Sequence, residues 1–236
     1  MSFGLKHISA SCLSLVLLAC TAAQPEIAPP DSLAVNLLEI TPPVSMLQGG
    51  KDHYMKRVTE IAQQTPVEGG VMFLGDSITE GGDWPALFPS VTTTNHGIGW
   101  DTVAGVRGRL AQITLNNPEK IFIKIGTNDI GYNHDPRDMA ADLQAVITAL
   151  KLNSPDAQIY LQSILPREVE NVEKVAAINA QYYELAADLK LSFIDLTGPF
   201  SDADGSLRAE LTDDKLHLNA QGYALWAQTI KPFVIE

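Results

Sequence analysis

The chain has 236 residues, 45% of them hydrophobic, and 16 Lys and Arg against 28 Asp and Glu give a formal net charge of −12. That length suits one well-packed domain with a tail, not two large ones, and the acidic balance repels phosphate polymers, which excludes nucleic acid as a partner. Both cysteines, Cys12 and Cys20, lie near the start, so the body of the chain has no disulfide, thiolate nucleophile or cysteine metal cluster.

The first residues, MSFGLKHISASCLSLVLLAC, place Lys6 and His7 ahead of an apolar stretch. It is too short for a bilayer, which needs about 20 residues, but suits the apolar region of a secretory signal. Leu17-Leu18-Ala19-Cys20 resembles a bacterial lipobox. That resemblance implies removal of residues 1–19, lipid on Cys20, and a cell-envelope protein tied to its membrane, an outer membrane foremost, by that anchor alone. An ordinary cleaved signal with an incidental cysteine is the competing reading. Residues 20–50 hold five of the 14 prolines and show no helical or strand period. They read as a linker to a domain spanning 51–236.

Within that domain, strand-length apolar runs alternate with amphipathic stretches. The runs are 71–75, 91–95, 120–126, 158–165 and 191–196, several rich in β-branched or aromatic residues. One helix opens at Asp135-Pro136, a capping acid before proline, with Met139, Leu143, Val146, Ile147 and Leu150 on one face. Another sets Val175, Ile178, Tyr182, Leu185 and Leu189 at helical steps. Strict alternation predicts an α/β fold: a five-stranded parallel sheet between two helical layers. Loops at the carboxyl ends of such strands share one rim, where sites are built. Gly75-Asp76-Ser77, Asn95-His96-Gly97 and Gly126-Thr127-Asn128-Asp129 follow the first three runs, and Asp214 and His217 precede the last helix.

GDSIT at 75–79, NHGIG at 95–99, GTND at 126–129 and DKLH at 214–217 together resemble the SGNH, or GDSL, hydrolases. From about Tyr54 onward the chain is similar to the platelet-activating-factor acetylhydrolase catalytic-subunit-like branch. The resemblance implies a flavodoxin-like three-layer fold and a carboxylic ester hydrolase without cofactor. A serine hydroxyl is a poor nucleophile at neutral pH and needs a base within reach. Imidazole suits that task, and a carboxylate fixes its tautomer. Ser77, His217 and Asp214 fill these roles, with Asp213 second to Asp214. Charge developing on the carbonyl oxygen needs aimed donors, which the resemblance assigns to the Ser77 N–H, the Gly97 N–H and the Asn128 amide.

Asp76 braces the turn or lines the pocket. His53, His96 and His134 read as surface or structural side chains. Where relatives carry a small residue this chain has Trp100, implying a narrower or differently gated pocket, or a ring packed on a loop. A two-metal phosphoesterase lacks its imidazoles here, and no phosphate-cradling loop exists. The expected reaction is hydrolysis of short acyl esters, O-acetyl groups on carbohydrate or another small alcohol foremost. O-acetyl transfer, lysophospholipase or thioesterase activity, and a glycan-binding lipoprotein on the same scaffold are the alternatives. Oligomeric state is not written in the sequence.

Overall fold

Val71–Gly75 (β1) is apolar up to its final glycine and buried at every position, as a strand covered on both faces should be. The computed structural model describes Met1, residues 40–43, Met46 and residues 48–235. The chain divides into Met1–Ala34 and Val35–Glu236. The expected leader, Cys20 and most of the linker lie outside the described residues.

In chain order the second unit runs α1 (Gln48–Ala62), β1, α2 (Ser77–Glu80), α3 (Trp84–Leu87), β2 (Thr93–Gly97), α4 (Val103–Gly108), α5 (Leu110–Ile113) and β3 (Lys120–Lys124). It continues with α6 (Thr127–Gly131), α7 (Pro136–Asn153), β4 (Gln158–Gln162), α8 (Val172–Asp188), β5 (Ser192–Ile194), α9 (Thr197–Phe200) and α10 (Ala220–Ile235). The five strands form one parallel sheet in the order β2-β1-β3-β4-β5. The order reverses beside β1, and loops leaving β1 and β3 open a crevice there.

Alternate residues of each strand face opposite layers. Met72, Leu74, Ile121 and Ile123 pack with α4, α7 and α8, and the expected stripes of α7 and α8 are buried there, Leu189 only in part. Phe73 and Phe122 meet Trp84 and Trp226 on the other face, with the Phe73 and Trp84 rings stacked at 3.8 Å. The result is the three-layer α/β sandwich the alternation implied.

The last three strands are shorter than their apolar runs, and two boundaries bear on the site. The second strand begins at Thr93, not residue 91, because its register is set by β1, with Val71 opposite Thr93 and Gly75 opposite Gly97. Asn95-His96-Gly97 therefore ends the strand instead of following it. The folded region also starts ahead of residue 51: α1 begins at Gln48, and Ile40 and Met46 are buried with Tyr54, Val58, Ile61 and Ile98.

Candidate active site

Ser77 opens α2, immediately beyond the end of β1. Asp76 caps this turn, its Oδ1 accepting from the Ile78 N–H at 3.0 Å. Gly75 has no alternative: a Cβ there would stand 2.2 Å from the Lys124 carbonyl oxygen and from Thr79 Oγ1. The turn is held from above by the Tyr223 hydroxyl, which donates to the Ile78 carbonyl at 2.8 Å. Beneath it, Asp76 and Lys124 are both fully buried, Oδ1 and Nζ 3.6 Å apart. Burial pulls the Lys124 ammonium down from its ordinary pKa, and Asp76 opposes that.

Ser77 Oγ lies 3.0 Å from His217 Nε2. The other ring nitrogen, Nδ1, is 2.7 Å from Asp214 Oδ2. Asp214 Oδ1 also accepts the backbone N–H of Leu216 at 2.9 Å and of His217 at 2.7 Å. These bonds, the one from the His217 ring foremost, hold the Asp214 carboxyl down at about 2. Asp214 is therefore ionised at neutral pH and can only accept, so the ring proton sits on Nδ1. Nε2 is then left to accept from the Ser77 hydroxyl. The fit needs a tight turn between the two residues, and Lys215 within it has φ +66°. Asp213 is exposed, and Asp214 rather than Asp213 holds the ring.

Asn128 sits in the first turn of α6, after Gly126 at φ +125°. Its Nδ2 donates to the Asp101 carbonyl at 2.8 Å, which fixes the amide plane and leaves the second amide hydrogen to point elsewhere. Gly97, expected to offer its N–H to the oxyanion, ends β2. Its N–H donates to Asn95 Oδ1 at 2.9 Å, so it is already engaged. The absence of a side chain at 97 serves packing, since a Cβ would sit 2.1 Å from the Glu80 nitrogen. The Asn95 amide closes the same joint, donating to the carbonyls of Thr79, Glu80 and Gly82 at 3.1, 2.9 and 3.2 Å.

Several supports went unread in the sequence. Arg57 of α1 donates to the carbonyls of Gly97 at 3.2 Å and Asn95 at 3.1 Å. Glu80, the last residue of α2, accepts from the Gly99 N–H and meets the His53 ring at 2.9 Å. Arg109 and Asp101 form a fully buried ion pair at 2.9 Å, and Arg109 reaches the His96 carbonyl at 2.8 Å. Tyr54, Val58 and Ile61 recur at helical steps in α1, a signal too weak to outweigh its opening glycines. Among the described residues His217 is the imidazole bonded to Ser77. His96 is buried, which together with Arg109 and Arg57 pushes its pKa down to about 3. His134 is held by buried Asp129 at 2.8 Å. Burial raises the Asp129 carboxyl to about 6. Trp100 is 46% exposed and has φ +70°.

Residues 73–225 match the family model of the GDSL-like lipase/acylhydrolase family. A Streptococcus pneumonia protein, solved under a provisional platelet activating factor name, is 30% identical with a TM-score of 0.73, covering 78% of this chain and 93% of its own. The human platelet-activating factor acetylhydrolase IB subunit alpha2 is 28% identical over 183 residues, 72% of this chain and 77% of the relative. A GDSL-like lipase from Bacteroides thetaiotaomicron shares the fold at 24% identity and a TM-score of 0.67, over 77% of this chain and 96% of its own. This chain belongs to the GDSL-like lipase/acylhydrolase family and is a carboxylic ester hydrolase.

Proposed function

We propose that the chain hydrolyses short acyl esters in two steps through an acyl-Ser77, with O-acetyl groups on carbohydrate, or on another small alcohol, as its substrates. The observation that carries the mechanism is the unbroken run from Ser77 Oγ to His217 Nε2 at 3.0 Å and from Nδ1 to Asp214 at 2.7 Å. Ser77 attacks the carbonyl carbon while His217 takes its proton, and Asp214 stabilises the imidazolium. The imidazolium then protonates the departing alcohol. Water, deprotonated by the same ring, releases the acid and restores Ser77.

The oxyanion is met by the Ser77 N–H, the Asn128 amide and the Gly97 N–H. Because Asn95 already holds the Gly97 N–H, that donor must be shared with the substrate oxygen, and Asn128 carries the larger part. A small acyl group is supported by the openness of the site: the His217 and Asp214 side chains are 46% and 54% exposed. The segment after α9 is anchored by buried Phe200, Leu207 and Leu211 and is not a free apolar lid. The mammalian relatives are themselves named for hydrolysing an acetyl ester.

Acetylated sugars, xylan fragments, acetylated sialic acids and lysophospholipids, each assayed against Ser77→Ala, test the reading. Turnover that survives Ser77→Ala ends the mechanism, and faster cleavage of lysophospholipid than of any acetylated sugar ends the substrate assignment. Free acetate as sole product with added polyol separates hydrolysis from acetyl transfer. The lipobox-like Leu17-Leu18-Ala19-Cys20 supports an envelope protein lipidated at Cys20. Labelled fatty acid on the wild type, lost in Cys20→Ala, is the expected result.

A further inference from the structure

Trp100 combines a strained backbone with an indole left partly in solvent. Its φ of +70° is a left-handed conformation that costs a bulky L-residue on the order of 1–3 kcal/mol. Its indole, which burial would reward, is 46% exposed. Backbone strain of this kind persists at binding sites, where the surrounding structure imposes it.

Its two chain neighbours are tied to the candidate site. Gly99 is tied through its N–H to Glu80, the last residue of the helix that Ser77 begins. The Asp101 carbonyl takes the Asn128 amide at 2.8 Å, and the Asp101 side chain is locked on Arg109 at 2.9 Å. Residue 100 is thus pinned between an anchor of the nucleophile helix and an anchor of the oxyanion amide. On its other side α1 supplies Gly50, where a Cβ would stand 3.1 Å from the indole Cγ. The bare glycine backbone leaves room for the ring, and the helix backs it.

Resting on the substrate reading above, we infer that Trp100 is a specificity residue: its indole is a fixed platform on which the pyranose ring of the leaving alcohol stacks while the ester lies at Ser77. A flat aromatic surface presents wide contact area at little entropic cost. A sugar ring offers a matching face of C–H groups, with its hydroxyls directed outward to water.

The test compares two acetyl esters that form the same acyl-Ser77, tetra-O-acetyl-xylopyranose and ethyl acetate, in wild type, Trp100→Phe, Trp100→Leu and Trp100→Gly. Phe and Leu keep the strained backbone, and only Phe keeps a flat face. Expected is a fall of about tenfold in kcat/KM on the sugar ester for Leu and Gly, carried mainly by KM. Phe should stay within threefold of wild type, and in Leu and Gly the loss on ethyl acetate should be smaller than the loss on the sugar ester. Loss of both esters by one factor, or equal behaviour of Phe and Leu, overturns the platform while leaving the substrate class standing. Ser77-dependent cleavage of ethyl acetate with no sugar ester turned over by wild type overturns the substrate class, and the platform with it.

Discussion

Asn128→Ala separates turnover from folding more sharply than any other change at this site. In the folded enzyme the amide makes one protein bond, to the Asp101 carbonyl at 2.8 Å. Removing it costs about 0.5–1.5 kcal/mol of stability, or roughly 1–6 °C in a domain of this size. The effect on the transition state is larger. Loss of one oxyanion donor typically lowers kcat about 10²- to 10³-fold, near 3–4 kcal/mol. This site belongs at the upper end, because the Gly97 N–H is already drawn to Asn95 Oδ1 at 2.9 Å and compensates poorly. Steady-state kinetics on ethyl acetate should show kcat reduced with KM within a few-fold, alongside a melting curve close to wild type. Asn128→Asp, which keeps the shape but replaces the donor by an acceptor, should be at least as slow. A kcat within fivefold of wild type in a folded Asn128→Ala refutes the assignment of this amide.

Arg57→Ala removes the bonds to the Asn95 and Gly97 carbonyls. It is expected to lower kcat about tenfold with KM unchanged, since bonds from a charged donor are worth about 1.5–3 kcal/mol; Arg57→Lys should recover part, and an unaltered kcat would detach α1 from the site. Lys124→Met strands the buried Asp76 carboxylate without its countercharge, for which breaking a buried pair costs about 3–5 kcal/mol. Scanning calorimetry should show a clear drop for the single variant and recovery in Lys124→Met/Asp76→Asn; a single variant as stable as wild type would show the pair to be idle. His96 has its folded pKa depressed from 6.5 to about 3, so the unfolded chain takes up its proton first. Its contribution is present above the unfolded pKa of 6.5 and lost as pH falls toward about 3, by up to ~1.4 kcal/mol per pH unit. His96→Phe should flatten the decline of melting temperature in that window, and an unchanged slope would place the acid sensitivity elsewhere.

The chemistry-bearing residues were legible because their roles restrict residue type: a hydroxyl, an imidazole and a carboxylate have few substitutes. β1, α7 and α8 were legible because burial imposes a period, and the stripe from Met139 to Leu150 is buried as spaced. α1 was not. Its sequence QGGKDHYMKRVTEIA opens with two glycines and carries few apolar residues, so propensity argues against the helix that packing selects. The start of β2 was misplaced for a related reason: on an edge strand of half-buried threonines the pairing partner sets the register, and that partner is remote in sequence. Buried Lys124 and Arg109 were invisible, because a charge in an amphipathic stretch reads as solvated until its counterion is located.

These hidden cations explain how an open site keeps its geometry. Three loops leave the strand ends to form the rim, and the strand-end carbonyls beneath them need fixed partners. Water would satisfy them at the surface, but only with freedom to move. Instead an arginine grips the chain at the foot of each loop. Arg109 reaches Gly75 at 3.4 Å and His96 at 2.8 Å. Arg57 takes Asn95 and Gly97, and Arg167 takes the Thr127 carbonyl at 2.9 Å, next to Asn128. A guanidinium suits the task because it carries five donors in a rigid plane and keeps its charge, so Arg109 alone joins the ends of β1 and β2. A carboxylate on each cation, Asp101, Glu80 and Glu168 respectively, offsets the cost of partial burial. Positioning within about 0.5 Å, which catalysis demands, is thereby supplied from beneath the rim. The face above Ser77 and His217 is left free for an ester to enter.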